Sequence, residues 1–383
     1  IFFVRTALLF VQRILRMQIK LHPRGAITLM CSTENQGRQT DFLTQSILND
    51  QKTNTIDLRD RHAMSWGGLR YTPMLLRALF AALGVLYKPY MRGHNAEIFN
   101  NLIFFMYYTF ALHFIRKYTD QTRLLIVAND HSPIPLAFAG AARALNHKTA
   151  YIQHAHVSQD FPRLRFDLNI LDGKYAQKTY SALTPAADMQ RMAIVYRGIE
   201  GIERPFNIER LKTSKADIRL GVFINVYEET ILRSLIESLD KQSKIRSILI
   251  RPHPAHPIPT NLKSEKVSVS HRYTPLLEDA KQCDLIIGGN SSFHLSVLKY
   301  GVPCLYWDGL DNFEKDYYGF VSGKILYEIK DPANINFYDV YEFYKSECWA
   351  LNFAKFDASY QHSKEMVSEK IKRAILKHIN SER

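Results

Sequence analysis

What is missing from these 383 residues narrows the choices first. Only four cysteines occur, Cys31, Cys283, Cys304 and Cys348, with no CxxC spacing, and three of them lie inside apolar segments. That pattern argues against a disulfide frame or a cysteine zinc site and points to small buried hydrophobes of a reducing compartment. No GxGxxG, GxxxxGKS/T or HExxH is present, which weakens the cases for a Rossmann oxidoreductase, a P-loop NTPase and a zinc hydrolase. There is no repeat period, no low-complexity tract, and no signal-peptide cleavage pattern after Ile1. The apolar stretch LIFFMYYTFALHFI (102–115) is too short to span a bilayer core of about 30 Å, so it reads as a buried helix and no transmembrane span is expected. Acidic residues are in deficit: 37 Asp+Glu against 50 Lys+Arg leave a net charge of +13. Such a balance suits an anionic ligand, an anionic membrane surface or nucleic acid.

What is present is an ample core, with 46% of residues apolar and 12% aromatic. The length exceeds the soft limit of roughly 100–200 residues per domain, so two domains are expected. Short apolar runs bounded by turn residues alternate with helical patterns, as in parallel sheets with crossover helices. Strand candidates in the first half are 26–31, 55–58, 124–128, 149–153, 168–171 and 193–196. In the second half they are 218–226, 247–250, 267–270, 284–289, 304–307 and 324–329. Between residues 197 and 215, Gly198, Gly201, Pro205 and several charges break the rhythm, as a connection between domains would. From about 336 the pattern is helical to the end. The expected architecture is α/β: two doubly wound Rossmann-like domains facing a cleft, with a C-terminal helical segment. Its parts are a first domain (1–200), a second domain (201–335) and C-terminal helices (336–383).

The first twenty residues, IFFVRTALLFVQRILRMQIK, form a basic amphipathic helix. At 100° per residue, Arg5, Arg13, Arg16 and Lys20 share about one quarter of its circumference. Two readings stand: an in-plane anchor on an anionic inner leaflet, or a helix packed on the same protein or a partner subunit. The corresponding location is cytoplasmic, with peripheral association with the inner face of the cytoplasmic membrane.

In doubly wound sheets ligands sit beyond the carboxyl ends of the strands. Several strands here end in chemistry-bearing residues. DLIIGGNSSFHLSVLKYGVPCLYW (284–307) runs from a strand through Gly288-Gly289 into Asn290-Ser291-Ser292, which caps a helix. Backbone N–H groups, two hydroxyls and a helix start converge there, a good place for a phosphate, and the glycines would let backbone approach it. ILIRPHPAHP (248–257) adds Arg251 as fixed charge and His253 as a donor at a strand end, each histidine held extended by the proline after it. His256, further from the strand, is expected to matter less. In the first half, Asn129, Asp130 and His131 follow one strand, His154, His156, Ser158 and Asp160 the next, and Asp172 the one beyond. Carboxylate and imidazole are the groups that a general base requires. The i, i+2 spacing of His154 and His156 is weakly diagnostic of metal, and no metal site is expected.

The order Asp172-Gly173, then His253-Pro254, then Ser291-Ser292 resembles the bacterial sialyltransferases and polysialyltransferases of GT-B fold. RPHP with the paired serines is similar to capsule Kdo transferases and teichoic-acid-type polymerases, and IQHAH resembles the Gln-His-Gly segment of the capsule enzymes. The resemblance spans roughly 125–307. It implies a metal-independent, inverting glycosyltransferase. The donor would be a cytidine-nucleotide sugar, CMP-sialic acid-like or CMP-Kdo-like, and the acceptor a glycan or glycolipid of surface polysaccharide or lipooligosaccharide. It further implies that His253, Ser291 and Ser292 hold the donor phosphates, beside Arg251, Gly289 and Asn290, and that Asp172 is the base. The motif's first acid is here Leu171 and the capsule segment's glycine is Ala155, so Asp130, His131 and His154 stay open as alternatives to Asp172. No cofactor beyond the donor is expected. The rival readings are a CDP-polyol phosphotransferase of teichoic-acid-like polymer synthesis, a non-catalytic assembly scaffold, and a nucleic-acid-binding protein. Against the last, basic residues are spread along the chain without an aromatic-basic reading motif.

Overall fold

The computed structural model describes residues 2–22, 25–59, 71–86, 95–119, 121–212, 217–253, 264–271, 273–311 and 313–381. His256 lies outside them. A seven-stranded sheet is built from β1 (Gln18–Lys20), β2 (Ile27–Cys31), β3 (Thr53–Asp57), β4 (Leu124–Val127), β5 (Lys148–Ile152), β6 (Leu168–Leu171) and β7 (Ala193–Tyr196) in the order β1-β3-β2-β4-β5-β6-β7. All its pairings are parallel except β1 with β3. A six-stranded, all-parallel sheet follows, from β8 (Ile218–Phe223), β9 (Ile245–Arg251), β10 (Val267–Val269), β11 (Leu285–Gly288), β12 (Cys304–Tyr306) and β13 (Tyr327–Glu328), ordered β10-β9-β8-β11-β12-β13.

The strands form where apolar runs can be buried on both faces, which is what parallel sheets require. Successive residues of β4 serve opposite cores. Leu125 and Val127 join the side built by α1 (Phe2–Arg16), α3 (Thr72–Leu86), α4 (Asn95–Tyr118) and α5 (Pro133–Ala144), while Leu124 and Ile126 join the other side. That other side is closed by α14 (Lys364–Asn380), whose Val367, Ile371 and Ile375 pack with Ile27, Leu29, Ile152 and Ile170. The end of the chain therefore returns to the first sheet. The intervening helices α12 (Phe337–Lys345) and α13 (Glu347–Phe356) bury Phe337, Tyr341, Trp349, Phe353 and Phe356 in the core of the second. Lys299, buried, forms an ion pair with Asp357 at 2.8 Å and ties this returning segment to the second sheet's helices.

The basic amphipathic helix is present as α1. Phe10, Ile14 and Met17 are buried against the first domain, with Phe10 edge-on to Tyr107 at 4.9 Å. Leu8 and Leu9 remain exposed beside Arg5. Among the described residues no helix is long and apolar enough to cross a membrane.

Candidate functional site

The strand order reverses between β2 and β4 in the first sheet and between β8 and β11 in the second. The crevice beyond the carboxyl ends at such points is where doubly wound sheets take ligands. Asn129, Asp130 and His131 follow β4, and Gly289, Asn290, Ser291 and Ser292 follow β11, so each group sits at its sheet's switch point.

At the end of β4 the side chains form an ordered relay. Buried Asp130 accepts a hydrogen bond from Tyr180 Oη at 2.5 Å with one carboxylate oxygen and contacts His131 Nδ1 at 3.0 Å with the other. Tyr180 lies on α6 (Lys174–Leu183), the crossover after β6. A carboxylate on Nδ1 fixes the proton there and leaves Nε2 as the acceptor, the state a general base needs. The His131 side chain is 43% exposed. Asn129 is pinned by accepting from the backbone N–H of His131 at 2.9 Å and of Ser132 at 2.6 Å. Its amide nitrogen then faces the Nε2 atoms of His154, at 3.2 Å, and His131, at 3.5 Å. A cleft of about 370 Å³ opens beside His131, lined also by Asn100, Asn101, Arg143 and Arg165.

The other base candidates are differently placed. His154 is held neutral, its pKa pushed down to about 4 by burial, with the neighbouring Asp130 opposing the shift. Its Nε2 faces the Asn129 amide and its Nδ1 is buried without a partner. Asp172, at the end of β6, is buried and paired with Arg197 Nε at 2.8 Å. Arg197, in turn, bonds Gln39 and Glu200. Burial raises the Asp172 carboxyl to about 6 even though Arg197 pulls it down. Its backbone is equally engaged: the N–H donates to Gln153 Oε1 at 2.9 Å and the carbonyl accepts from Gly198 and Ala358. This carboxylate is a strut between strand ends, and Asp130 with His131 has the geometry expected of the base.

In the second sheet the serines do not cap the helix that follows, α11 (Phe293–Lys299). Ser292 occupies the N-cap position without a side-chain cap bond. Among the described residues neither the Ser291 nor the Ser292 hydroxyl has a hydrogen-bond partner, and Ser292 is exposed. The first turn of α11 carries no acid, whereas α9 (Glu229–Asp240) opens with Glu229 and α10 (Leu276–Ala280) with Glu278 and Asp279. Of these three helix starts, only that of α11 has no carboxylate in its own first turn, and the acid next to it is Asp311, which accepts from the Asn290 N–H just ahead of the helix.

Asn290, the two glycines and Arg251 at this rim are each engaged by the protein itself. Asn290 faces inward: its N–H donates to Asp311 at 2.6 Å, its amide reaches Tyr306 and Asp311, and its oxygen accepts from Tyr317 N–H at 2.8 Å. Gly288 and Gly289 make room for the protein itself. A Cβ on Gly288 would lie 2.6 Å from the Phe293 ring, and one on Gly289 would strike the Asp311 carboxylate. Arg251 is no free cation, because it is paired with buried Asp279, which also accepts from Ser270 at 2.6 Å. His253 is exposed two residues past the end of β9, and the loop after it lies outside the described residues.

The two rims are joined. Phe161 sits edge-on to His131, with ring centroids 5.5 Å apart, and Gln159 from the same loop donates to Glu314 at 2.9 Å. Glu314 belongs to the loop from Asp311 to Tyr317 that holds Asn290. These contacts link the loop after β5 to the segment that holds Asn290. Among the described residues no three His, Cys, Asp or Glu side chains converge as a metal site would need.

No family model and no curated protein matches the sequence. Solved structures do match in shape. A glycotransferase of kitacinnamycin superposes with a TM-score of 0.52 at 12% identity, covering 92% of this chain and 99% of its own. A protein described as a UDP-N-acetylglucosamine 2-epimerase from Listeria monocytogenes gives 0.53 at 11% identity, covering 94% and 98%. The chain has the GT-B fold.

Sequence reasoning passed over Tyr180, Arg197 and the pair Arg143 and Arg165. Arg197 had a usable signal, since it stands directly after the apolar run AIVY as another strand-end residue. Tyr180 had none, being one of two tyrosines on α6.

Proposed function

We propose that this protein is a glycosyltransferase that moves a sugar from a cytidine-nucleotide donor to a glycan or glycolipid hydroxyl. The observation that carries the reading is the Asp130–His131 dyad at the switch point of the first sheet, matched at the switch point of the second by two serine hydroxyls that have no hydrogen-bond partner among the described residues. In this mechanism His131 Nε2 takes the proton of the acceptor hydroxyl while its oxygen attacks the anomeric carbon. The bond from that carbon to the donor phosphate breaks, and the departing nucleotide keeps the electron pair. Asp130 stabilises the imidazolium through Nδ1–H, and Ser291 and Ser292 donate to the phosphate oxygens as charge develops on them. The fold likeness to a glycotransferase supports the reaction class, and the resemblance of His253-Pro254 and Ser291-Ser292 to cytidine-donor enzymes supports the donor class. Exposed Leu8, Leu9 and Arg5 on α1 fit a peripheral contact with an anionic membrane, where a lipid-linked acceptor would be met.

Calorimetry of the full chain with CMP, CDP and UDP, paired with hydrolysis assays on CMP-sugars and CDP-polyols, tests the reading. Tighter binding of cytidine nucleotides, weakened by Ser291→Ala and by His253→Ala, is expected. Equal affinity for all three nucleotides would remove the cytidine donor, and turnover of CDP-ribitol alone would convert the enzyme into a polyol-phosphate transferase.

A further inference from the structure

A large concavity lies away from the dyad, three strands along the first sheet at its β7 edge. It has a volume of about 1440 Å³ and is bounded by α6, β7, the turn at 322–324, α13 and α14. Five lysines line it, Lys174, Lys178, Lys324, Lys355 and Lys370, together with His362, and not one aspartate or glutamate does. Several surface lysines elsewhere are paired locally: Lys212 with Glu209, Lys266 with Asp240, Lys281 with Glu278 and Lys315 with Glu328. Here Lys174, Lys178, Lys324 and Lys370 have no ion-pair partner among the described residues, and Lys355 reaches only the Asn352 side chain, at 2.9 Å. The adjoining cavity, about 770 Å³, makes the contrast. Glu200, Glu203, Glu365 and Glu369 line it beside Arg197, Lys299, Lys364 and Lys372. A concave wall of one sign focuses its field and concentrates counter-ions.

We infer that this lysine-lined cavity is a second binding site, distinct from the transfer cleft, for an acidic oligosaccharide chain bearing repeated carboxylates or phosphates. The spread of charge from α6 to α14 matches a chain rather than a single phosphate. A flat bilayer does not enter a concavity. Single-stranded nucleic acid requires free aromatic faces for its bases, and the rings here are already engaged. Tyr175 is stacked on Phe356 with centroids 4.1 Å apart, Tyr360 is edge-on to Phe353 at 5.0 Å, and the Tyr196 hydroxyl is bonded to Gln177. The inference rests on the glycosyltransferase reading only for the choice of a glycan over other polyanions, and it predicts that the enzyme retains its acidic acceptor or product while the chain end visits the cleft.

The test is binding of labelled oligomers to the full chain, read by fluorescence anisotropy without turnover. Oligogalacturonate supplies the carboxylates, a poly(glycerol phosphate) oligomer the phosphates, and maltoheptaose the neutral control, with oligo-dT and phosphatidylglycerol vesicles as competing classes. One or both acidic glycan-type oligomers should bind in a salt-dependent way and maltoheptaose should not. The double variant Lys178→Glu with Lys370→Glu, whose thermal midpoint shows that it folds, should weaken that binding by roughly tenfold or more. Affinity unchanged in the variant, or no acidic oligomer bound by the parent, would overturn the site. Tighter binding of oligo-dT or vesicles through the same lysines would overturn the ligand class. A chain that binds the acidic oligomer yet turns over no nucleotide sugar would remove the transfer reading and leave this site standing as a polyanion site.

Discussion

Asp130 and Asp172 end strands two apart in one sheet, both buried, both beside an aromatic or cationic partner, yet they are built for different work. Asp130 hands its charge to an imidazole whose side chain is partly exposed, with Tyr180 bracing the carboxylate from behind. Asp172 gives its charge to Arg197, which is itself enclosed by Gln39 and Glu200. A carboxylate at a strand end is therefore not enough to mark a base: what decides is whether the partner can exchange a proton with something outside. The resemblance to known transferases implies Asp172, and the proposed mechanism puts the role two strands over, at Asp130 with His131.

The largest expected effect separates these two acids directly. His131→Ala should lower the transfer rate by roughly a hundredfold to ten-thousandfold, the usual worth of a general base, and Asp130→Asn should follow it because the tautomer is no longer fixed. Thermal midpoints for His131→Ala should change little, since its ring is partly exposed. Asp172→Ala should do the reverse, costing about 3 kcal/mol or more of stability because Arg197 is left buried and uncompensated, while turnover per folded molecule is kept. Denaturant melts and kcat for the same preparations distinguish the two patterns. If Asp172→Ala abolished kcat with no loss of stability, the assignment of roles would be inverted.

Acid should separate the pair further. His154, His156 and His294 are all pushed down to about 4 by burial, from an ordinary value of 6.5. Between those values the unfolded chain binds protons that the native one does not, so stability is lost as pH falls from about 6.5 toward 4. Asp172 acts in the opposite sense. Its carboxyl is raised to about 6 from 3.8, so the native chain holds a proton that the unfolded one releases, and that contribution is lost as pH rises through 6. Three groups outweigh one, and the melting temperature is expected to drop by on the order of 5–10 °C from pH 7 to pH 5. His156 is enclosed by Tyr175, Tyr318, Phe320 and Phe356, with neither ring nitrogen hydrogen-bonded. His156→Phe should therefore flatten the slope, and an unchanged slope would mean that other groups set it.

Much of this architecture was legible before any coordinates. Every apolar run bounded by turn residues became a strand, because a parallel strand buried on both faces writes itself as an uninterrupted apolar word. The exception, β1, is the short QIK, with Gln18 and Lys20 exposed, and it forms only because β3 offers it an edge. Strand order was not legible, nor was the return of α14 to the first sheet, since both depend on contacts far apart in the chain. The same limit hid the site's wiring. Asp172 and Arg197 are 25 residues apart and Asp130 and Tyr180 are 50. The glycines misled for a related reason: what approaches Gly289 so closely is Asp311, more than 20 residues on and invisible as a neighbour in the sequence.

The smallest effect concerns the serines, and it is where a near-zero result is informative. Ser363 caps α14 by accepting from Met366 N–H at 3.2 Å, so Ser363→Ala should cost about 1 kcal/mol. Ser292 holds the same position on α11 but makes no cap bond. Ser292→Ala should leave the melt within about 0.5 kcal/mol of the parent, while raising the donor KM, because the hydroxyl that stabilises nothing in the free protein is the one kept for the phosphate. If Ser292→Ala cost as much stability as Ser363→Ala and left KM alone, the serine would be a helix cap after all, and the acid-free start of α11 would lose its claim on the donor.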